Sequence, residues 1–278
     1  MGMRDESILS ADGVAMINGS AAGAGRIVDG ETGREPGVTT KTAGVRAIIV
    51  AGGSGSRFTG SFIPKQFVQV KGKPILAYVL STYQSLALID DITLVINRRY
   101  EQLYYDIVDT YGFYKVRRLV PGGATRQASS WAGLAAMEPC DVVVVQDGVR
   151  PFTSARVIME AVETARRHGG ANVVVRALDT IVECRDGIIN TIPDRNYLYN
   201  GQSPQAFRYE LLMEAHRRAA EEGVTEASDD AQLVLRVGGR VGAVEGSYEN
   251  FKITTYEDFL FASALVERET RMNGEGKW

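Results

Sequence analysis

The sequence predicts an α/β domain built on a mainly parallel, three-layer sheet with one inserted β-arm. Three observations carry that prediction. From Arg46 onward, strand-like apolar runs alternate with segments of helical periodicity. Val142 to Val145 is a continuous apolar run, the pattern of a strand buried on both faces. Gly52-Gly53, Gly122-Gly123 and Asp147 follow three separate strands, which puts them on the carboxyl edge where ligands bind such sheets.

Each element follows from its own pattern. Ala47–Ala51 reads as the first strand, breaking into glycines where the chain must turn tightly. Pro74–Leu88 reads as an amphipathic helix, Asp91–Ile96 as a second strand, and Arg99–Tyr111 as the helix after it. Val116–Val120 is a third strand ending in Pro121-Gly122-Gly123, with a helix from Thr125 to Met137. Asp141–Gln146 is the central valine strand. Further helices are expected at Ser154–His168, Glu210–Glu222, Asp229–Val237 and Thr255–Arg268. Residues 173–207 break the rhythm: Val173–Arg176, Thr180–Cys184 and Ile188–Ile192 are strand-like, and Arg185-Asp186-Gly187 makes a hairpin turn. A hairpin inserted in an α/β domain has little cover of its own. It is expected to bury itself against a second copy in a homodimer, the alternative being a flap over its own crevice.

Composition narrows the function. The chain has 278 residues and a formal net charge of −3 with no basic block, which argues against an extended nucleic-acid interface. The apolar runs are strand-length, too short to span a membrane. Two cysteines, Cys140 and Cys184, lack metal-ligand spacing and suit a reducing, cytoplasmic setting as small apolar residues. The two histidines, His168 and His216, fall in expected surface helices, so a histidine-ligated zinc or a Ser-His-Asp triad is not expected. Residues 1–45 are rich in Gly, Ala, Ser and Thr, show no sustained periodicity, and read as a disordered extension ahead of a domain over 46–270.

The most informative stretch is Ile48-Ile49-Val50-Ala51-Gly52-Gly53-Ser54-Gly55-Ser56-Arg57, followed by Pro64-Lys65-Gln66-Phe67. Backbone amides in such a loop can face an anion without a side chain in the way. A P-loop would need Lys-Ser or Lys-Thr after its last glycine, where Ser56-Arg57 stands; a dinucleotide fingerprint would need a glycine at Phe58. Arg57 and Lys65 supply the positive charge a triphosphate needs, so the expected ligand is a nucleotide. Asp147, at a strand's carboxyl end beside these cations, is placed to hold Mg²⁺ on a triphosphate. Arg150 could pair with phosphate or with Asp147 itself.

The ordered motifs resemble a known family. They are Ala51-Gly52-Gly53-Ser54-Gly55-Ser56-Arg57, Pro64-Lys65-Gln66-Phe67, Lys71-Gly72-Lys73-Pro74, Gly122-Gly123-x-x-Arg126-x-x-Ser129, Asp147-Gly148-Val149-Arg150-Pro151, Asp179-Thr180, Asp194-Arg195-Asn196, Ser203-Pro204-Gln205-x-Phe207, Ser228-Asp229-Asp230-Ala231 and Asn250-Phe251-Lys252-Ile253-Thr254. Together they are similar to the cytidylyltransferases that act on 2-C-methyl-D-erythritol 4-phosphate and on ribitol 5-phosphate, over residues 46–268. The resemblance implies a Rossmann-like nucleotidyltransferase fold and a role for Mg²⁺. It implies that Ala51, Gly52, Gly53, Gly55, Gly122, Gly123, Arg126, Ser129 and Asp147 bind CTP, and that Arg57 and Lys65 hold the triphosphate while Lys252 touches the α-phosphate. It places Arg150, Thr180, Arg195, Ser203 and Ser228 on the acceptor side, with Thr180 and Arg195 delivered by the partner subunit's arm.

Departures from the family pattern matter. Gln146 stands where a histidine is usual, which removes any acid-base role there; Ser203 replaces a threonine and keeps its hydroxyl; Ala124 replaces an aspartate. The implied chemistry is direct in-line attack of an alditol phosphate on the α-phosphorus of CTP, which needs no covalent intermediate and suits a site without histidine or cysteine. Val149-Arg150-Pro151-Phe152, Asp179-Thr180-Ile181-Val182, Ile192-Pro193 and Tyr199-Asn200-Gly201-Gln202 look more like the ribitol-phosphate branch, which would make a cell-wall polymer precursor. The expected acceptor is therefore ribitol 5-phosphate; the alternative is methylerythritol 4-phosphate, for isoprenoid precursors. A related nucleotidyltransferase of other base preference and a non-catalytic nucleotide-binding domain are the rivals.

Overall fold

The computed structural model describes residues 44–53 and 63–274. The expected extension over residues 1–45 lies almost wholly outside them, as do Gly55 and Arg57. In chain order the strands are β1 (Val45–Val50), β2 (Gln69–Val70), β3 (Lys73–Pro74), β4 (Ile89–Ile96), β5 (Val116–Pro121), β6 (Val142–Asp147), β7 (Gly169–Arg176), β8 (Glu183–Arg185), β9 (Ile188–Thr191), β10 (Tyr199–Arg208) and β11 (Arg240–Glu245). The helices are α1 (Ile75–Ser85), α2 (Glu101–Thr110), α3 (Arg126–Ala135), α4 (Ala155–His168), α5 (Tyr209–Glu221), α6 (Asp230–Arg236) and α7 (Tyr256–Gly274).

The main sheet has the order β11-β7-β10-β6-β1-β4-β5. Every pairing is parallel except those of β10, which runs against both β6 and β7. β1 and β6 pair in uniform register from Val45–Val142 to Val50–Asp147, so the first glycine loop and Asp147 leave the sheet side by side. Successive residues face opposite layers, as a period of two requires. Ala47, Ile49, Val142 and Val144 pack under α1, α2 and α4. Ile48, Val143, Val145 and Phe207 pack under α3, α5 and α6. Helices on both faces make the three expected layers, and all six residues of β6 are buried. A smaller cluster seats α7 against the β2–β3 ribbon through Val70, Ile75, Val149, Ile253, Ala262 and Val266.

Two strands depart from the expectation. Residues 173–207 are not one arm: β7 and β10 belong to the main sheet, and the arm proper is the β8–β9 hairpin between them. Gly201, Gln202, Ser203 and Pro204 disguise β10, because proline cannot donate to a ladder and polar residues argue against a central strand. The structure accommodates them with a register shift between Gly201 and Gln205. The second is β11, an edge strand whose sequence Arg240 to Glu245 is too mixed in character to announce itself. The hairpin turn is as expected: Asp186 and Gly187 both take positive φ and join Arg185 to its partner Ile188. Cys140 is buried, but Cys184 is exposed on the hairpin rather than packed as a small apolar residue. No described helix is long and apolar enough to cross a membrane.

α3 lies close on the sheet because Gly133 leaves room: a Cβ there would stand 2.7 Å from Ile48 Cγ2 and 2.9 Å from Val95 Cγ2. Overpacking of that kind costs about 1–3 kcal/mol. Gly133→Val should therefore lower the urea midpoint by a corresponding amount. It should also disturb the first turn of α3 and the ligand affinity of the crevice, as read by a chemical-denaturation series and a binding titration.

Candidate active site

The first loop is fixed from behind by side chains. The Ala51 amide donates to Val95 O (2.8 Å), and its carbonyl accepts from Tyr104 Oη (2.7 Å) and Gln66 Nε2 (2.8 Å). Gln66 Nε2 also reaches Gly53 O (3.2 Å) and Tyr104 Oη (3.0 Å). Gln66 and Tyr104 are buried, so the carbonyls of Ala51 and Gly53 are committed to the protein interior. Gln66 follows Lys65 directly in a single 3₁₀ turn, Lys65–Phe67, so the bond that shapes the loop also places the lysine.

The second loop meets the first at the end of β4. The Gly122 amide donates to Ile96 O (2.8 Å), and the Gly123 amide donates to Ser129 Oγ (3.1 Å). A Cβ on Gly122 would stand 2.9 Å from that oxygen, so glycine is what lets α3 pack so near the loop. Thr125 caps α3 by accepting from the Ala128 amide (3.1 Å). Arg126 opens the helix at the crevice.

Asp147 ends β6 between three cations. Its Oδ2 lies 3.1 Å from Lys252 Nζ and 3.2 Å from Arg150 Nε, and its Oδ1 lies 3.8 Å from Arg126 Nε. Burial pushes the carboxyl pKa up, but Lys252, Arg126 and Arg150 outweigh it and hold the group at about 2. The backbone amide of Asp147 donates to Ser203 Oγ (3.0 Å), tying β6 to β10. Lys252 is delivered by Asn250, whose side chain donates to Ser203 O (2.8 Å) and accepts from Thr153 Oγ1 (2.8 Å). The Asn250 carbonyl accepts from Arg150 Nη1 (2.7 Å). Gln146, in the histidine-like position, is enclosed by Tyr83 Oη (3.1 Å) and Thr153 Oγ1 (3.1 Å), as a structural residue would be.

These groups wall a cavity of about 440 Å³. Of the residues expected to form the site, Ala51, Gly52, Gly53, Lys65, Gly123, Arg126, Ser129, Asp147 and Lys252 line it, and Gly122 sits immediately behind. Three cationic side chains face one carboxylate among its described lining residues, so the cavity favours an anion. Other residues fall elsewhere. Arg150 is buried and bound to Asp147 and Asn250, the structural one of its two readings. Ser203 is buried behind β6 and does not line the cavity. Ser228 is exposed and bonds Gln232 Oε1 (3.3 Å), while Asp229, not Ser228, caps α6. Thr180 and Arg195 are exposed on the arm and do not line the cavity; Arg195 Nη1 donates to Leu178 O (3.1 Å).

The donor set fits Mg²⁺ in one way. No cluster of three or more His, Cys, Asp or Glu exists among the described residues, so no all-protein cage is present. Asp147 offers Oδ1, which lies 3.8 Å from Arg126 Nε, beyond hydrogen-bond range, and hard cations of this kind are commonly held by one carboxylate together with ligand phosphates.

Sequence reasoning missed the groups that position the site. Gln66 and Asn250 stood inside quoted motifs, yet their jobs are tertiary. His216 was expected at a surface and is instead buried, 2.9 Å from Asp230 Oδ1. Its only signal was a helical spacing that puts it on the face shared by Leu212 and Ala219.

Known proteins share this chain's sequence pattern and fold. Residues 45–268 match the family model described as IspD, 2-C-methyl-D-erythritol 4-phosphate cytidylyltransferase. The 2-C-methyl-D-erythritol 4-phosphate cytidylyltransferase of Geotalea uraniireducens is 42% identical over 228 residues, covering 80% of this chain and 97% of that one. That of Geobacter metallireducens is 42% identical over 232 residues, with 81% and 98% covered. Among solved structures, 4-diphosphocytidyl-2C-methyl-D-erythritol synthase from Anaerococcus prevotii superposes with a TM-score of 0.71 at 31% identity, covering 82% of this chain and all of that one. The cytidylyltransferase of Thermus thermophilus gives 0.63 at 32% identity, with 81% and 98% covered.

Asp147 and Asp230 are both held more acidic than in an unfolded chain; for Asp230, burial opposes this while Arg126 and His216 impose it. Groups with depressed folded pKa values add stability that is complete above about pH 4 and is lost as pH falls toward 2. Urea midpoints measured from pH 5 to 2.5 should fall steeply for the wild type, and the fall should be shallower in Asp147→Asn.

Proposed function

The chain belongs to the IspD family of 2-C-methyl-D-erythritol 4-phosphate cytidylyltransferases and is a nucleotidyltransferase; on that premise we propose that its acceptor is 2-C-methyl-D-erythritol 4-phosphate. The observation that carries the reaction is the meeting of Lys65, Lys252 and Asp147 with the Ala51–Gly53 backbone on one cavity. An oxygen of the acceptor phosphate attacks the α-phosphorus of CTP in line. One P–O bond forms, the bond from the α-phosphorus to the bridging oxygen breaks, and pyrophosphate leaves with the electron pair. Lys252 faces the charge that grows at the α-phosphorus, and Lys65 faces the leaving polyphosphate. Glycine-loop amides and the Gly122-Gly123 segment orient the cytidine. A Mg²⁺ ion bound by Asp147 and phosphate oxygens would supply further neutralisation of the polyphosphate.

The expected lean toward ribitol 5-phosphate is not supported, and the structure supplies a physical reason. Arg150 and Gln202, which lie in two of the segments read as ribitol-like, are buried structural partners: Gln202 donates to Ser247 O (2.9 Å) and accepts from Asn250 Nδ2 (3.2 Å). Their identity reports packing under the crevice, not contact with an acceptor. The named relatives carry methylerythritol phosphate in their own names. In a side-by-side assay of pyrophosphate release with CTP, methylerythritol 4-phosphate should exceed ribitol 5-phosphate by about 100-fold or more in kcat/KM. The reverse order would return the acceptor to ribitol 5-phosphate. Lys252→Ala should lower kcat by about 10²–10³-fold without unfolding the protein.

Thr180 and Arg195 complete the acceptor site from a second copy in this reading. The arm presents Ile188, Ile189, Ile192 and Tyr197 to solvent, with Tyr197 at 81% exposure, an apolar surface suited to a partner. Arg195→Ala should raise KM for the acceptor far more than for CTP. Mixed with Lys65→Ala under subunit exchange, it should regain part of the lost activity, because each mixed dimer holds one intact site. No recovery after confirmed exchange would assign the arm to its own crevice.

A further inference from the structure

Asp230 is not among the residues expected to form the site, although its buried carboxylate is bonded to Arg126, which lines the crevice. It is fully buried and both oxygens are used: Oδ2 accepts from Arg126 Nη1 at 2.7 Å, and Oδ1 accepts from His216 Nε2 at 2.9 Å. The amide of Asp230 donates to Gln205 Oε1 (3.0 Å), which fastens it to β10. His216 is itself buried and stacks on Trp131, with ring centroids 5.7 Å apart.

Arg126 therefore stands between two carboxylates. It makes a charge-assisted hydrogen bond to the buried one and stays 3.8 Å from Asp147, beyond hydrogen-bond range. A guanidinium with Asp147 as its sole anion would close on it, since the fork geometry matches a carboxylate. That would occupy the one Asp147 oxygen not already engaged by Lys252 and Arg150, and would turn the guanidinium away from the cavity. The separation from Asp147 thus needs a competing anion on the far side, and Asp230 is that anion.

We propose that Asp230, braced by His216, is a positioning residue that draws Arg126 off Asp147, so that both the guanidinium and the Asp147 carboxylate stay presented to the nucleotide. The inference rests on the reading of the cavity as the CTP site. It predicts that Asp230 acts on the nucleotide only through Arg126, which a buried residue of purely structural importance would not do.

A double-mutant cycle tests it, with the dissociation constant of CTP measured calorimetrically without acceptor. Arg126→Ala and Asp230→Asn should each weaken CTP by about 10-fold, and the double variant should be no weaker than Arg126→Ala alone. Additive effects, or Asp230→Asn binding within about twofold of wild type, would overturn the inference while leaving the CTP site in place. Wild-type protein that binds no CTP, or Arg126→Ala that binds it normally, would overturn the site reading beneath it. Should Asp230→Asn fail to fold by circular dichroism, His216 decides: His216→Gln keeps a donor for Asp230 and should hold CTP near wild-type affinity, whereas His216→Leu should weaken it. Equal affinities in those two variants would sink the positioning role.

Discussion

A single ionised carboxylate at the buried end of the central strand organises the rest of the structure. Asp147 belongs to a strand whose every residue is buried, where an uncompensated charge would be prohibitively costly. Compensation comes from three parts of the chain far apart in sequence: Arg126 at the start of α3, Arg150 in the turn after β6, and Lys252 beyond β11. Each cation has to be carried to the same point, and the scaffolding around it exists to do that. Asn250 pins the Lys252 segment to Ser203 and Thr153, and Arg150 closes the circle on the Asn250 carbonyl. The charge that must be neutralised for the domain to fold is also the charge around which an anionic ligand site is assembled.

That economy explains why some of the fold and site were legible in the sequence and some were not. A strand buried on both faces has a continuous apolar signature, and the glycines that follow strands cannot be hidden, so β6 and the two loops after β1 and β5 could be read directly. Asp147 was legible because it ends a strand beside expected cations, Lys65 because it follows the glycine loop, and Lys252 only through the family resemblance. β10 was not legible, since its middle is polar and contains Pro204, and its strand character comes from pairing with β6 and β7 rather than from its own residues. His216 and Asp230 were hidden for a related reason. Their buried hydrogen bond is formed by two helices meeting, and neither α5 nor α6 alone records the other's presence.

The first loop shows a second kind of hidden determinant. Gly52 and Gly53 permit the turn, but permission does not select one conformation. Selection falls to Gln66 and Tyr104, which reach the carbonyls of Ala51 and Gly53 from the buried side. A loop held by its carbonyls is set before a ligand arrives, so less ordering entropy opposes binding. Because Gln66 adjoins Lys65, the same anchor fixes a cation against the loop, and the two cannot drift apart.

The division of the molecule into a rigid crevice and a projecting arm bears on how acceptor choice can be encoded. The crevice is crowded with polar groups engaged by other parts of the protein, as Gln146 is by its hydrogen bonds to Tyr83 and Thr153. A residue in that network answers to its neighbours first, so its identity is a poor record of which phosphate is attacked upon. The arm is under no such constraint. Its residues from Leu178 to Tyr197 are largely exposed in the single chain, and among the described residues Arg195 is tied to the Leu178 carbonyl. Packing therefore dictates little about Thr180, Arg195 and their neighbours. It follows that residues of the crevice network report on packing first, whereas the arm positions are the ones that the fold itself leaves undetermined.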